Sequence, residues 1–170
     1  MRRDIAPHEA EDDAMLDPEF VADCPYLPEA ILFDEILELD RENGRLLARM
    51  PTHDGLPLTA LQKADPVRHP RHVSGGLFVH VTGMLGFAHA YYVLGLRHAD
   101  GWIGYGAHIQ RARYGRLARI GPPVLLEARG TAVRRIRGSV YVRYEFRFTQ
   151  ESDVVYESEQ GAVWQRVAPG

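Results

Sequence analysis

The run "SGGLFVHVTGMLGFAHAYYVLGL", residues 74–96, contains no formally charged side chain over 23 residues. A run of this length could span a bilayer. Against a span stand four glycines before Phe87, His80 and His89 within the run, and the lack of a second apolar segment. A helix that is apolar on all sides is otherwise a helix buried inside a globular domain. The run therefore predicts a buried central helix, with Ser74 as N-cap and Gly95 at its end.

Strand-like segments stand on both sides of this helix. Residues 30–40 and the segment "RLLARMP" are separated by "ENGR", a turn signal that predicts a hairpin. Residues 51–73 contain four prolines and are expected to form a loop. After the helix come four segments rich in β-branched and aromatic residues, divided by the short turns "RIGPP", "RIRGS" and "QESD". The order is two strands, a loop, one helix and an antiparallel meander of four strands, which indicates an α+β domain.

Composition indicates one domain preceded by an acidic segment. The chain has 170 residues and a net charge of −3. Residues 1–24 hold eight acids and two arginines, about −6, so we expect an acidic N-terminal arm over 1–24 and a single domain over 25–170. The single cysteine, Cys24, excludes an internal disulfide, and the start has no apolar signal segment. A cytoplasmic location is the resulting expectation.

Positive charge is concentrated in the strands after the helix. Residues 111–147 contain ten arginines against only Glu127 and Glu145. Such a region can bind a phosphorylated ligand, bind nucleic acid or form the solvated outer face of a sheet. No nucleic-acid recognition motif accompanies the arginines, so no nucleic-acid partner is expected.

Three stretches resemble a known family. "LFDEILELDRENGRLLARM", "HPRHVSGGLFVH" and "HIQRARYGRLARIGPPVLLEARG" are similar to the opening strands, helix entry and strand pair of the β-hydroxyacyl-ACP dehydratase branch of the hotdog-fold superfamily, over about residues 28–165. The resemblance implies a hotdog fold, in which a curved antiparallel sheet wraps around one long buried helix. It also implies a substrate from fatty acid metabolism, an acyl-CoA or acyl-ACP thioester. The implied activity is that of the β-hydroxyacyl-ACP dehydratase branch or of the acyl-CoA thioesterase branch of this superfamily. The unpaired sheet edge of this fold predicts a homodimer or a dimer of dimers.

The sequence departs from the dehydratase pattern at the acid. His69 can stand for the loop histidine of that family, but the position of its helix acid, counted from Gly75, is His80. No aspartate or glutamate lies between Asp65 and Asp100. The dehydratase acid–base pair is therefore broken, and hydrolysis of the thioester becomes the first hypothesis.

The candidate site lies around the start of the helix. A histidine is suited to act as a base near neutral pH, and free N–H groups of a helix N-terminus can stabilise an oxyanion. The candidate catalytic residues are His69, His72 and His80. The candidate oxyanion and substrate-binding residues are Ser74, Gly75, Gly76 and Met84, with Arg111, Arg113 and Arg116 for the phosphates of CoA. His80, Met84, Phe87 and Tyr91 follow helical spacing and share one face, which is either core or the wall of an acyl tunnel.

Position favours the loop histidines over His80 as the base, because His69 and His72 lie just before the expected oxyanion site. The spacing of the three histidines matches no zinc signature, so no metal is expected. No separate cofactor is expected either, since CoA or phosphopantetheine would be part of the substrate.

Two alternatives stay open: a 3-hydroxyacyl-thioester dehydratase or enoyl hydratase, and an acyl-CoA-binding protein without catalysis. No membrane partner is expected.

Overall fold

A computed structural model describes residues 16–167, which form one antiparallel sheet around one long helix. The predicted order of two strands, a loop, a helix and four strands is confirmed. The helices are α1 (Pro18–Asp23) and α2 (Gly75–His89), which continues as a π-helical segment over Ala90–Leu94; short 3-10 turns occupy Pro28–Ala30 and His98–Asp100. The strands are β1 (Glu35–Asp40), β2 (Arg45–Thr52), β3 (Trp102–Tyr114), β4 (Gly121–Ile136), β5 (Ser139–Gln150) and β6 (Asp153–Arg166).

The six strands follow the spatial order β1-β2-β4-β5-β6-β3, and every neighbouring pair is antiparallel. Strands β1 and β3 are therefore the two edges. Alternate residues of β2, β4 and β5 are buried, as Leu46, Leu126 and Phe148 illustrate, and this face packs on α2. The intervening residues form the outer face, which carries the charges. Register shifts interrupt β3 twice and β4 once, and such bulges bend strands enough to curve a sheet around a helix.

The apolar run is the core of the domain. Among residues 16–167, one helix, Gly75–Leu94, is long and apolar enough to cross a membrane by length and composition, and 61% of its most apolar window is buried inside the protein. Most side chains of α2 lie against the sheet, including Leu77, Val81 and Leu85. The helix ends at Gly95, whose φ of 66° is the left-handed conformation that glycine adopts at little cost.

Helix α1, which precedes the predicted boundary at residue 25, packs on the domain that follows it. Phe20 is 1% exposed, and its ring packs on Phe33 and on the two tyrosines at the end of the central helix. The Asp23 carboxylate accepts hydrogen bonds from the backbone N–H groups of His98 and Ala99, both at 2.8 Å. Charge counting assigned these residues to the acidic arm because it cannot weigh the burial of a single aromatic ring. Residues 1–15 of the predicted arm lie outside the described residues.

His89 connects the end of α2 to the sheet. It is fully buried; its Nε2 donates to the Gly44 carbonyl (3.1 Å), and its Nδ1 accepts from the Tyr144 hydroxyl (3.0 Å). Gly130 leaves room for this ring, since a Cβ there would lie 2.9 Å from it. Burial lowers the pKa of His89 from 6.5 to about 4, which the Gly44 hydrogen bond opposes only in part.

Acid should therefore destabilise the protein through His89. The unfolded chain binds a proton below about pH 6.5, whereas the native histidine stays neutral down to about pH 4. Its contribution to the free energy of unfolding is complete above pH 6.5 and falls by about 3 kcal/mol as the pH approaches 4. Urea denaturation across this range measures the slope. His89→Gln should remove that part of the slope, whereas Val81→Ala should lower stability and leave the slope unchanged. An unaltered slope in His89→Gln would contradict the assignment.

Candidate active site

A cavity of about 290 Å³ lies between α2 and strands β3, β5 and β6. Its wall is largely apolar, with Met84 and Phe87 from the helix and Phe146, Ala162 and Trp164 from the sheet. Residues 79–87 of the helix line it, so the cavity lies alongside the middle of α2 and away from the helix start. Such a space, apolar with a few polar groups, is typical of a small-molecule site.

His80 is the histidine that lines this cavity. Its Nε2 lies 2.6 Å from the carbonyl oxygen of Ala30. A carbonyl can only accept, so Nε2 carries the proton and Nδ1 keeps its lone pair. No described residue forms a hydrogen bond with Nδ1. The ring of Tyr26 packs edge-on against the imidazole at 5.8 Å and also contacts Phe87. The arrangement fixes one tautomer and holds an available base in the wall.

The loop histidines lie elsewhere. The rings of His69 and His72 pack on each other at 5.0 Å, and His72 Nδ1 lies 2.8 Å from the Pro70 carbonyl. His69 forms two backbone hydrogen bonds with Asp65, whose carboxylate accepts from backbone N–H groups of the same turn. The structure therefore brings His69 and His72 together, and neither lines the cavity that contains His80. Their catalytic role stays a prediction.

The helix start is also separate from the cavity. Ser74 occupies the N-cap position, but its side chain makes no capping hydrogen bond. The ring of Tyr114 covers Gly75 so closely that a Cβ there would lie 2.7 Å from it, and the Tyr114 hydroxyl donates to the Gly75 carbonyl. Ser74, Gly75 and Gly76 are absent from the cavity wall, whereas Met84 is part of it. The predicted oxyanion residues and the predicted acyl wall thus occupy different places along α2.

The three predicted phosphate ligands lie on or beside the outer face of the sheet. Arg111 pairs with Glu159 at 2.7 Å and Arg113 with Glu157 at 2.6 Å, while Arg116 lies 4.0 Å from Asp153. The cavity opens on the opposite, helix-packed face. Exposed pairs of this kind contribute little to stability. The arrangement matches the alternative of a solvated sheet face, and phosphate binding by these arginines stays a prediction.

A polar cluster at the cavity was missed by the sequence analysis. The Thr82 hydroxyl lies 2.7 Å from the Val79 carbonyl, to which it donates. The amide nitrogen of Gln160 then donates to Thr82 Oγ1 at 3.1 Å and to Ser158 Oγ at 2.9 Å. Both amide hydrogens are used within the cluster. The only sign of the cluster in the sequence was a threonine inside an apolar helix. This sign is weak, because such a hydroxyl often bonds its own helix and needs no partner elsewhere.

Trp164 supplies an available donor. Its indole nitrogen has no hydrogen-bond partner among the residues described. In these residues, every side-chain nitrogen or oxygen atom that is sealed from solvent has a partner. The N–H therefore reaches accessible space, and Trp164 lines the cavity. Gly104 permits this position, since a Cβ there would lie 2.6 Å from the indole nitrogen.

The cavity wall contains no aspartate or glutamate among the described residues. In the same part of the chain, no group of three histidine, cysteine, aspartate or glutamate side chains could hold a metal ion. The usual dehydratase pair of a histidine and a carboxylic acid is therefore incomplete in the described cavity wall, and the alternative in which a histidine replaces that acid stays a prediction.

No protein-family model matches the sequence, and no curated protein sequence matches it. Solved structures do. A mutant of the thioesterase PA1618 from Pseudomonas aeruginosa is 15% identical, with a TM-score of 0.59 over 94% of this chain and 97% of that one. The thioesterase HI1161 from Haemophilus influenzae is 19% identical, with a TM-score of 0.52 over 79% and 80% of the two chains. The protein SAV0944 from Staphylococcus aureus is 13% identical, with a TM-score of 0.53 over 78% and 93%.

These structures are of the hotdog fold. This chain has the hotdog fold. The expected α+β architecture, with a sheet wrapped around one buried helix, is thereby confirmed.

Two glycines in the central helix of this hotdog domain line the cavity, Gly86 buried and Gly83 exposed to solvent. A Cβ on Gly83 would have no heavy atom within 4 Å, and one on Gly86 would meet only the Trp164 ring at 3.9 Å. Alanine would therefore fit at both positions and would favour the helix by about 0.5–1 kcal/mol. The helix thus forgoes stability at the positions where a side chain would narrow the cavity.

Gly83→Ala should consequently stabilise the free protein by about 0.5–1 kcal/mol and weaken the binding of an apolar probe. Urea denaturation and titration with an environment-sensitive fluorescent fatty acid measure the two effects. Gly130→Ala is the matched control and should destabilise, because its Cβ would press on His89. A Gly83→Ala protein that is less stable, or that binds the probe as before, would show that the glycine does not serve the cavity.

Proposed function

We propose that the protein hydrolyses acyl thioesters, with the acyl chain bound in the cavity along α2. The observation that carries the proposal is an apolar cavity whose wall holds His80 in a fixed tautomer with Nδ1 available. Two of the structurally similar proteins are thioesterases by name, which supports the same reaction class. In this proposal the protein is a cytoplasmic enzyme of fatty acid metabolism.

His80 acts as general base in the proposed reaction. Nδ1 accepts a proton from water while the water oxygen bonds to the thioester carbonyl carbon. The Trp164 N–H donates to the carbonyl oxygen, where negative charge develops. The C–S bond then breaks and the imidazolium returns the proton to the leaving sulfur. The products are a carboxylic acid and the free thiol of CoA or phosphopantetheine.

The cavity volume indicates the length of the acyl chain. Its 290 Å³ equals about ten water-sized groups at roughly 30 Å³ each. A methylene group occupies a similar volume, so an acyl chain of about ten non-hydrogen atoms fills the space. Medium-chain thioesters should therefore be preferred over short ones, which leave apolar surface in contact with water.

The thiol carrier would be recognised outside the cavity. Arg111, Arg113 and Arg116 remain our candidates for the phosphates of CoA. Each has a carboxylate neighbour, so a phosphate must share or displace that partner. Arg116, at 4.0 Å from Asp153, has the longest of the three pairs and is the first of them to test.

Binding without turnover is a second candidate function. It is favoured by the lack of a carboxylate in the described cavity wall and by the amide hydrogens of Gln160, which are already used. The cavity then holds the acyl chain of an acyl-CoA in the same position, without attack by water.

Hydrolysis of decanoyl-CoA, followed by release of free thiol, separates these functions. His80→Gln should lower kcat by about 10²- to 10⁴-fold, the usual contribution of a general base, while binding is retained. Trp164→Phe should lower kcat and leave the fold intact. His69→Ala and His72→Ala test the loop histidines, and a dominant loss in either would show that our choice of His80 is wrong. No turnover, with decanoyl-CoA still raising the melting temperature, would establish the binding function instead.

We also propose a homodimer joined through β3. This edge strand of 13 residues pairs only with β6, and all residues from Tyr105 to Leu117 are exposed. Tyr105, Ile109 and Leu117 are 49–61% exposed, so the edge is apolar as well as unpaired. Natural sheets rarely leave such an edge open.

Light scattering at micromolar concentration should therefore give the mass of a dimer or a dimer of dimers. Ile109→Lys should shift the protein toward the monomer, because a lysine discourages edge pairing. Leu37→Lys makes the same change on the other edge strand, β1, and should leave the mass unchanged. A wild-type protein that is monomeric throughout would refute the proposed pairing.

A further inference from the structure

The end of the β4–β5 hairpin extends past the rest of the sheet. Strand β4 pairs with β2 only as far as Arg129, and among residues 16–167 its last residues, 132–136, pair with β5 alone. We name residues 133–138, "VRRIRG", the hairpin tip. It lies at the same end of the domain as the β1–β2 turn, beyond the last backbone contact between Gly44 and Gly130.

The arginines of the hairpin tip differ from the ion-paired arginines of the outer face. Arg134, Arg135 and Arg137 are exposed, and none has a carboxylate or hydrogen-bond partner among residues 16–167. Arg111, Arg113 and Arg147 on the outer face are each paired with a glutamate. The tip is therefore a concentration of positive charge that the described protein does not neutralise.

Arg137 holds its place at a conformational cost. Its φ is 47° and that of Gly138 is 82°, the left-handed pair that a two-residue hairpin turn requires. Asn-Gly is the favoured sequence for such a turn, and a left-handed arginine is disfavoured. A third arginine is thus present where local stability favours asparagine, which points to a use for its charge.

The tip also exposes apolar surface. Ile136 is 59% exposed and Val133 is 43% exposed. Arg134 pairs with Tyr141 and Arg135 with Val140, so consecutive arginines project from opposite faces of the ribbon. No single face collects the three charges; only the end of the hairpin presents all of them together with Ile136.

We propose that the hairpin tip docks end-on to an anionic lipid surface, with Ile136 among the headgroups and the three arginines on lipid phosphates. A planar surface that meets the hairpin end-on reaches the charges of both faces at once, and a lipid surface also admits Ile136 between its headgroups. An exposed isoleucine gains by insertion at a membrane interface and has no role against a nucleic-acid backbone. This docking lies outside the cavity, does not depend on hydrolysis, and departs from the expectation that the protein has no membrane partner.

Vesicle co-sedimentation of the full chain tests the docking. The protein should bind vesicles of phosphatidylcholine mixed with phosphatidylglycerol, bind vesicles of phosphatidylcholine alone far more weakly, and dissociate as salt is raised. Replacing Arg134, Arg135 and Arg137 together by alanine should lower partitioning by about 100-fold, at about fivefold for each arginine near the surface. Ile136→Ser should weaken it further, and both variants should keep the solution activity or ligand binding of the wild type.

Two variants separate docking from general charge and folding effects. Arg137→Asn should raise the melting temperature, because asparagine suits the turn, and yet lower partitioning about fivefold. Alanine at Arg129, Arg143 and Arg147 removes the same charge from the body of the hairpin and should change partitioning much less. An equal loss in this control, equal binding to neutral vesicles, or stronger retention on duplex DNA or polyglutamate than on vesicles would overturn the proposal.

Discussion

The whole structure depends on enclosing a helix that has no polar side to expose. Over residues 74–96 the chain offers water no charged group, and although Gly76, Val79 and Gly83 remain exposed, the sheet buries most of the helix. Six strands with bulges in β3 and β4 bend far enough around α2 to bury Leu77, Val81 and Leu85. The long strands β3 to β6 and the outward charges of their other face follow from this requirement. The aromatic ring of Phe20, carried by α1, covers the end of the helix that the sheet leaves open.

The sheet packs closely on the end of α2 and leaves space along its middle, and the residues at the two places account for the difference. At its end, His89 satisfies both ring nitrogens on the Gly44 carbonyl and the Tyr144 hydroxyl, and Gly130 is small enough to let that ring touch the sheet. Along the middle, Gly83 and Gly86 withdraw side chains from the contact with β6 and β3, and the cavity remains. Glycine therefore serves opposite purposes in the two regions: it permits contact in the first and preserves space in the second. A buried histidine anchors the helix, so the space beside it does not collapse.

Sequence patterns predicted the elements of this fold better than their lateral arrangement. The uncharged run located α2, Gly95 located its end, and Asn43-Gly44 located the first hairpin, because each of these depends on local preferences. The position of β3 at the sheet edge beyond β6 depends on pairing between distant segments, and no local pattern contains it. The cavity forms where β3 and β6 meet the helix, so its position along α2 could not be read from the sequence. Expecting the site at the helix start favoured His69 and His72, whereas the cavity wall contains His80 and the unforeseen Gln160. The packing of α1 was not predicted, because it depends on the single ring of Phe20 in a segment whose composition is dominated by acidic residues.

The same enclosure limits the chemistry that the wall of the cavity can contain. An ionised carboxylate in a wall built to be buried would lose its hydration without a partner, and its pKa would rise until it became neutral. The cavity wall instead carries side chains without a carboxylate: His80 and Thr82 from the helix and, from the facing strands, Gln160 and Trp164. Of these, an imidazole with Nε2 held by the Ala30 carbonyl is the one that can accept a proton at Nδ1 and return it within one reaction. The lack of aspartate and glutamate between residues 65 and 100 is then a condition for burying the helix, and under the proposed function it leaves the role of base to a histidine. In that proposal, the rule that shapes the fold also selects the base.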